Sequence, residues 1–100
     1  MKATISLIKG DGIGVDVSEA ALFLAGKAMA KAGIPAPQIV EIAAGASYFA
    51  ETGQDIQPDG EAAAGAADAI FLGAIGLPEI RNEDGTEISP HLRLRDRYQL

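Results

Sequence analysis

Cysteine is absent from this sequence of 100 residues. Without a thiol the chain can form neither a disulfide framework nor a thiolate metal site, and this fits a reducing compartment, so we expect a cytoplasmic protein. Histidine is nearly absent too, because His91 is the single one. It has no second histidine or cysteine near it in the sequence, so we expect no complete metal site within these residues.

Positive charge is also scarce, with 8 Lys and Arg against 14 Asp and Glu and a formal net charge of -6. Such a balance repels a phosphate backbone, and the basic residues form no stripe before the last ten positions, so nucleic acid is not an expected partner. Long apolar runs are missing as well, since charged residues interrupt them well before the roughly 20 positions of a membrane helix. What remains is ordinary for one globular domain, with 48% apolar and 22% charged residues.

Short apolar runs alternate with segments of helical periodicity. Ala3–Ile8, Gln38–Ala43 and Ala69–Ile75 predict strands, which we expect to be parallel members of one sheet. A long amphipathic helix is predicted from Asp16 until Gly33 ends it. The apolar stripe of this helix comprises Val17, Ala21, Leu24 and Ala28, and shorter helices are predicted over Ala46–Glu51, Glu61–Ala67 and from Ser89 toward Leu100. Strands that alternate with helices favour a three-layer α/β fold around a parallel sheet.

The glycine-rich segment Gly10–Gly14 lies between the first strand and the first helix. Glycines there allow a tight turn and a close backbone approach to a ligand, and helix amides attract negative charge, so an anionic or nucleotide ligand is one interpretation. The spacing differs from the dinucleotide pattern G-x-G-x-x-G, because the third glycine comes one residue early. On spacing alone, an ordinary tight turn is the other interpretation.

A polar loop, Leu77–Ile88, follows the third strand, at the end of a sheet where open α/β proteins bind ligands. The next helix begins at Ser89, a good N-cap residue followed by proline. His91 and Arg95 lie one turn apart on one helix face, and together with Ser89 they could hold a carboxylate, with Arg95 binding two oxygens. The alternative is a capped surface helix with solvated arginines. Two further arginines of this helix fall off that face and are interpreted as solvated or interface charge: Arg93 and Arg97.

Three segments together resemble the β-decarboxylating dehydrogenases, the family of isocitrate, isopropylmalate, homoisocitrate, tartrate and D-malate dehydrogenases. Ile5–Gly14 (ISLIKGDGIG) resembles the strand and loop that begin these enzymes. Ala69–Gly76 (AIFLGAIG) is similar to the strand that leads to their cofactor loop, and Leu92–Leu100 (LRLRDRYQL) to their first substrate-arginine helix. The segments occur in the right order and spacing. The resemblance implies that residues 1–100 are the amino-terminal part of the first α/β domain of a longer, truncated dehydrogenase.

The resemblance also implies an activity and a set of site residues. Family members oxidise and decarboxylate a malate-type 2-hydroxy acid with NAD or NADP and with Mg²⁺ or Mn²⁺, and they form homodimers. Arg95 is then the first substrate arginine, with His91 and Ser89 where the variable group of the substrate is recognised. The implied cofactor residues are Ile13, Gly14, Gly76, Thr86 and Glu87. The metal aspartates and the catalytic lysine and tyrosine are expected beyond these residues, so the fragment alone is expected to be inactive.

One position departs from part of the family. The isopropylmalate enzymes have an apolar residue where this chain has His91, and a polar imidazole there would leave an isopropyl group without apolar contacts. A more polar acid is therefore the expected substrate. Two alternatives stay open at this point: a regulatory subunit of the same family without catalytic residues, and a small nucleotide- or phosphate-binding module.

Overall fold

A three-stranded parallel sheet lies between two helical layers in the computed structural model, which describes residues 2–100. The strands are β1 (Thr4–Gly10), β2 (Gln38–Glu41) and β3 (Ala69–Ala74), in the spatial order β2-β1-β3. The helices are α1 (Ile13–Ala32), α2 (Ala46–Thr52), α3 (Gly60–Ala66) and α4 (Pro90–Tyr98). In the part of the chain that the structure describes, no helix combines the length and apolar character needed to cross a membrane.

The prediction of three parallel strands is confirmed. β1 is central, and its Ile5 aligns with Ile39 of β2 on one side and with Ala69 of β3 on the other. β1 extends two residues beyond the predicted end, because Gly10 still pairs with Ala74. The helices also form where they are predicted, with shifted ends: α1 begins at the loop itself rather than at Asp16, and α4 stops before Leu100.

The main core lies on the face of the sheet that α3 and α4 cover. Ser6 donates its hydroxyl hydrogen to the carbonyl oxygen of Ala63 in α3, so this strand position faces that layer. Ile8, two residues along the same face, is almost fully buried. The buried cluster consists of Ile8, Ile42, Ala44, Ile56, Ala64 and Leu94. Leu94 therefore anchors α4, the helix of the candidate substrate residues, directly in the core.

The predicted packing face of α1 is wrong. Val17 and Leu24, both in the predicted stripe, are 54% and 66% exposed. The buried residues of the helix are instead Gly14 and Ser18. Hydrophobic periodicity weights large apolar side chains, whereas the residues of this helix that are fully buried against the sheet are small.

Small residues are required there because the helix approaches the strands closely. A Cβ atom on Gly14 would lie 2.6 Å from the carbonyl oxygen of Lys9 and 2.7 Å from the backbone nitrogen of Ala74. A Cβ atom on Gly73 of β3 would lie 2.1 Å from the same Lys9 oxygen and 2.6 Å from the Ser18 hydroxyl oxygen. All four distances are shorter than Cβ atoms tolerate, so glycine fixes the distance between α1 and the sheet.

Ion pairs fasten α4 to the rest of the chain. The guanidinium of Arg93 donates two hydrogen bonds of 2.9 Å to the Asp55 carboxylate and also bonds Glu61 of α3. Arg97 donates to the other oxygen of Glu61 at 2.9 Å. The Tyr98 hydroxyl donates to the Glu61 carbonyl oxygen at 2.7 Å. Arg93 and Arg97 are therefore half-exposed and bonded to acidic residues of neighbouring segments, so of the two interpretations, solvated or interface charge, the second describes them.

Two glycines of α1 give a matched test of the close packing. Gly14→Ala should destabilise the protein by about 1–3 kcal/mol, because the new methyl group meets backbone atoms on two strands. Gly26→Ala is the control, because a Cβ atom there meets nothing within 4 Å. It should stabilise by roughly 0.5–1 kcal/mol through helix propensity. Urea unfolding followed by circular dichroism measures both changes, and equal effects at the two sites would contradict the close approach.

The two kinds of arginine on α4 give a second test. Arg93→Ala should lower the free energy of unfolding by about 1–2 kcal/mol, as expected for charge-assisted bonds between partly exposed groups. Arg95→Ala should change it by at most about 0.5 kcal/mol, because Arg95 is exposed and belongs to none of the ion pairs found in residues 2–100. Urea unfolding at pH 7 compares the two variants.

The pH dependence of the stability lost in Arg93→Ala shows whether its ion pairs cause the loss. The hydrogen bonds from Arg93 hold the pKa values of Asp55 and Glu61 below their ordinary range. A carboxyl group with a lowered pKa stabilises the fold above its unfolded-state pKa, about 4, and this stabilisation is lost as the pH falls through the folded-state pKa. The gap between wild type and Arg93→Ala should therefore narrow below about pH 4. A gap that stays constant down to pH 2 would mean that Arg93 acts only by packing.

Candidate functional site

The loops that follow the three strands meet at one edge of the sheet, because parallel strands end on the same side. We call this region the carboxyl edge. It comprises residues 10–14 after β1, residues 42–46 after β2 and residues 75–77 after β3. The segments touch one another: the Asp11 N–H donates to the Ala74 carbonyl oxygen at 2.7 Å, and Gly12 lies against Leu77.

Asp11 lies at the centre of the carboxyl edge. The residue is only 3% exposed. Its Oδ2 accepts the backbone N–H groups of Ala46 and Gly76, and its Oδ1 accepts the N–H of Ser47, each at 2.8 Å. One side chain thus joins the loops after all three strands. Asp11 is a site residue that the sequence pattern alone did not single out. The signal that could have identified it is an acidic residue between two glycines at the end of a buried strand.

The environment of Asp11 favours an ionised carboxylate. Burial opposes ionisation, but the backbone N–H groups of Ser47, Gly76 and Ala46 outweigh it and hold the pKa of Asp11 below its ordinary value. Gly45 shows how closely the backbone surrounds this group. A Cβ atom on Gly45 would lie 2.8 Å from Oδ2, and its φ of 124° is one that side chains rarely adopt.

Three of the five candidate cofactor residues lie at the carboxyl edge. Ile13 begins α1 and is 71% exposed, while Gly14 is buried beside Lys9 and Ala74. Gly76 is bonded to Asp11, and the space where a side chain would stand is open. The edge therefore combines an exposed apolar side chain with accessible backbone, which suits contact with a flat ring.

The other two candidates, Thr86 and Glu87, lie in the loop after β3. Glu87 lines a cleft of about 220 Å³ together with Gly76 and Arg81. Thr86 does not line it, and its hydroxyl already donates to Asp84 at 2.6 Å. The structure therefore brings Gly76 and Glu87 together, while the Thr86 side chain stabilises the turn.

The loop carrying Thr86 and Glu87 is folded on itself. The Asn82 N–H donates to the Thr86 carbonyl oxygen at 2.9 Å, and the Gly85 N–H donates to the Asn82 carbonyl oxygen at 2.9 Å. The Arg81 guanidinium donates to the carbonyl oxygens of Pro78 and Gly85 at 3.2 and 3.3 Å and pairs with Glu87 at 3.7 Å. The polar segment predicted as a loop therefore contains an ordered turn.

The candidate substrate residues lie at the start of α4. Ser89 occupies the N-cap position, but its hydroxyl makes no capping bond and donates instead to the Glu87 carbonyl oxygen at 3.4 Å, so the predicted capping role is wrong. His91 is half-buried, and its Nδ1 finds no hydrogen-bond partner among residues 2–100. Arg95 is exposed one turn later on the same helix face. The contact from Ser89 to Glu87 links these residues to the loop that carries Thr86 and Glu87.

The arginines of α4 divide between two faces. Arg93 and Arg97 point toward α3 and are bonded to its acidic residue Glu61. Arg95 lies between them in sequence and projects from the other side of the helix, with its guanidinium exposed. The ion pairs thus hold the helix while leaving one arginine available for an anionic ligand.

A second cleft, of about 330 Å³, opens near the ends of β1 and β2. Its lysine, Lys9, pairs with Glu19 at 3.3 Å and with Glu41 at 3.5 Å. The hydrogen bond from Lys9 to Glu19 raises the pKa of the ammonium group. Because two carboxylates already neutralise this cation, the cleft presents no free positive charge.

No cluster of three His, Cys, Asp or Glu side chains that could hold a metal ion occurs among residues 2–100. For a cofactor, by contrast, the carboxyl edge does offer a surface: an exposed apolar side chain and open backbone beside a cleft.

Comparison with protein families connects this geometry to known enzymes. The family model described as isocitrate/isopropylmalate dehydrogenase matches residues 4–100, which is nearly the whole chain. A search of the curated proteins found no significant match. The matched region includes all three strands, the Gly10–Gly14 segment and α4. The chain therefore belongs to the isocitrate/isopropylmalate dehydrogenase family.

Proposed function

We propose that this chain supplies part of the cofactor wall and the first substrate arginine of an NAD- or NADP-dependent dehydrogenase that oxidises and decarboxylates a malate-type 2-hydroxy acid. The family match over residues 4–100 supports the reaction class. The observation that carries the proposal is the exposed guanidinium of Arg95, one turn from His91 at the start of α4, on a helix whose other arginines are bonded internally.

Each residue has a defined task in this proposal. Arg95 binds a substrate carboxylate through two N–H groups, which neutralises its charge and fixes its orientation. His91 contacts the group that differs among malate-type acids, and its imidazole ring is the polar group at the start of α4 that such a contact would use. Ile13, Gly14 and Gly76 form the wall on which the nicotinamide rests, with Thr86 and Glu87 in the adjoining loop.

The chemical groups of the reaction come from outside the described residues. When bound, the nicotinamide supplies the hydride acceptor and Mg²⁺ or Mn²⁺ supplies a Lewis acid at the substrate oxygen. We propose that the metal aspartates and the catalytic lysine and tyrosine lie in a longer protein, a cytoplasmic homodimer, and that residues 1–100 alone do not turn over substrate. The chain's own contribution is binding and orientation, which lower the entropic part of the barrier.

The substrate class follows from His91. An isopropyl group against the polar imidazole would lack apolar contacts. A hydroxyl or carboxylate on the substrate suits a polar neighbour better. We therefore propose a polar acid of the isocitrate, tartrate or D-malate type rather than isopropylmalate.

Replacing Arg95 in the full-length enzyme tests the carboxylate contact. Arg95→Ala should lower kcat/KM by about two orders of magnitude or more, because a charge-assisted bidentate contact is worth roughly 3 kcal/mol. Arg95→Lys should recover part of the loss, since it keeps the charge without the two-pronged geometry. Lys31→Ala, which removes an exposed cation at the end of α1, is the control. Wild-type kinetics for Arg95→Ala on every malate-type acid would refute the assignment.

Replacing His91 tests substrate choice. His91→Leu should shift the ratio of kcat/KM values toward acids with apolar substituents, because it exchanges a polar contact for an apolar one. The affinities for metal and cofactor should stay nearly unchanged. Steady-state kinetics on isocitrate, isopropylmalate, tartrate and D-malate measure the shift. An unaltered order of preference would remove the argument against isopropylmalate. Absence of activity in the wild-type full-length protein on all four acids would favour a regulatory subunit.

A further inference from the structure

We infer that Asp11 is a positioning residue: its buried carboxylate holds Gly76 and the start of α2 against the loop that begins α1, and this arrangement sets the affinity for the nicotinamide cofactor. The first part stands on the geometry of the carboxyl edge alone. The second part rests on the proposed function, because it assumes that Gly14 and Gly76 contact the cofactor.

The polar groups of Asp11 are bonded to the start of α2, to the end of β3 and the loop after it, and to the start of α1. Its carboxylate accepts N–H groups from residues 35, 36 and 65 positions away in the sequence, at the start of α2 and after β3. Its N–H donates to Ala74 at 2.7 Å, and its carbonyl oxygen accepts the N–H of Gly14 at 2.8 Å. The candidate cofactor residues Gly14 and Gly76 are therefore hydrogen-bonded to the same residue.

The contacts require an acceptor on both sides of the side chain. The donors are backbone N–H groups at Ala46, Ser47 and Gly76, and none of them can accept a hydrogen. An asparagine at position 11 would offer one oxygen and one NH₂ group, so at least one donor would face a second donor. That N–H would lose its acceptor, and at the buried Ala46 no water could replace it.

A direct catalytic role for Asp11 does not fit the same contacts. Both carboxylate oxygens are occupied and the residue is 3% exposed, so a substrate cannot reach it. A space-filling role does not fit either, because the surrounding backbone places three donors on it and leaves no room for a Cβ atom at Gly45. The side chain acts through the loops that it holds.

The first experiment measures amide hydrogen exchange by NMR in the 100-residue chain. Asp11→Asn keeps the size of the side chain and should raise the exchange rate of at least one of the Ala46, Ser47 and Gly76 amides, the one that faces the new NH₂ group, by about tenfold or more, as expected for a lost bond to a charged acceptor. The Leu94 amide in α4 reports on global unfolding and should change less. Asp16→Asn is the control, since Asp16 is an exposed aspartate on α1. Unchanged exchange at all three amides, or an equal response in the control, would overturn the inference.

A measurement on the wild type covers the case in which Asp11→Asn does not fold. Scalar couplings across hydrogen bonds should connect the amide nitrogens of Ala46, Ser47 and Gly76 to the carboxylate carbon of Asp11. Coupling from Gly76 together with either residue of α2 supports the bridge between the two loops. Coupling that is missing at Gly76, while the α2 amides show it, would disprove the bridge.

The cofactor part is tested in the full-length enzyme. Asp11→Asn should raise KM for NAD or NADP by about tenfold while changing KM for the hydroxy acid much less, because the loss is confined to the cofactor wall. Asp16→Asn should leave both values unchanged. If the amides respond but KM for the cofactor does not, the cofactor step is wrong and the structural role of Asp11 stands. If the wild-type protein neither binds nor uses either nucleotide, the proposed function itself fails, and the amide data still decide the positioning role.

Discussion

The carboxylate of Asp11 is the interaction on which the carboxyl edge depends. Parallel strands bring their ends to one side of a sheet, but the loops that follow are not held by strand pairing and need another constraint. Here three backbone N–H groups from two of those loops converge on one buried side chain in the third. Without an acceptor the buried Ala46 N–H would be unsatisfied and the other two would be left to water, so the carboxylate holds the loops in this arrangement.

Glycine sets the distances around this carboxylate. Gly14 and Gly73 allow α1 to lie directly on the backbone of β1 and β3, and Gly45 allows the start of α2 to reach Asp11. With larger residues the helix would move outward and the loops would separate. The glycines of the family-like segments therefore act through packing as well as through any ligand that approaches them.

Helix α4 shows how one element can serve stability and recognition together. Leu94 enters the core, and Arg93 and Arg97 bond acidic residues on the neighbouring segments. These contacts fix the rotation of the helix, and the remaining face presents His91 and Arg95. A side chain that binds a ligand is most effective when the element carrying it is held by contacts elsewhere, because less conformational freedom is then lost on binding.

The sequence by itself determined the three parallel strands, the approximate helices and the family, because hydrophobic periodicity and local motifs are properties of neighbouring residues. It also placed His91 and Arg95 on one helix face, since that follows from helical spacing alone. Only the tertiary structure decided that α1 packs through Gly14 and Ser18, that Arg93 is bonded while Arg95 is exposed, and that Asp11 joins three loops. These features depend on how closely backbone segments approach each other and on contacts between residues that are 35 to 65 positions apart in the sequence, as at Asp11. No local sequence pattern encodes such contacts.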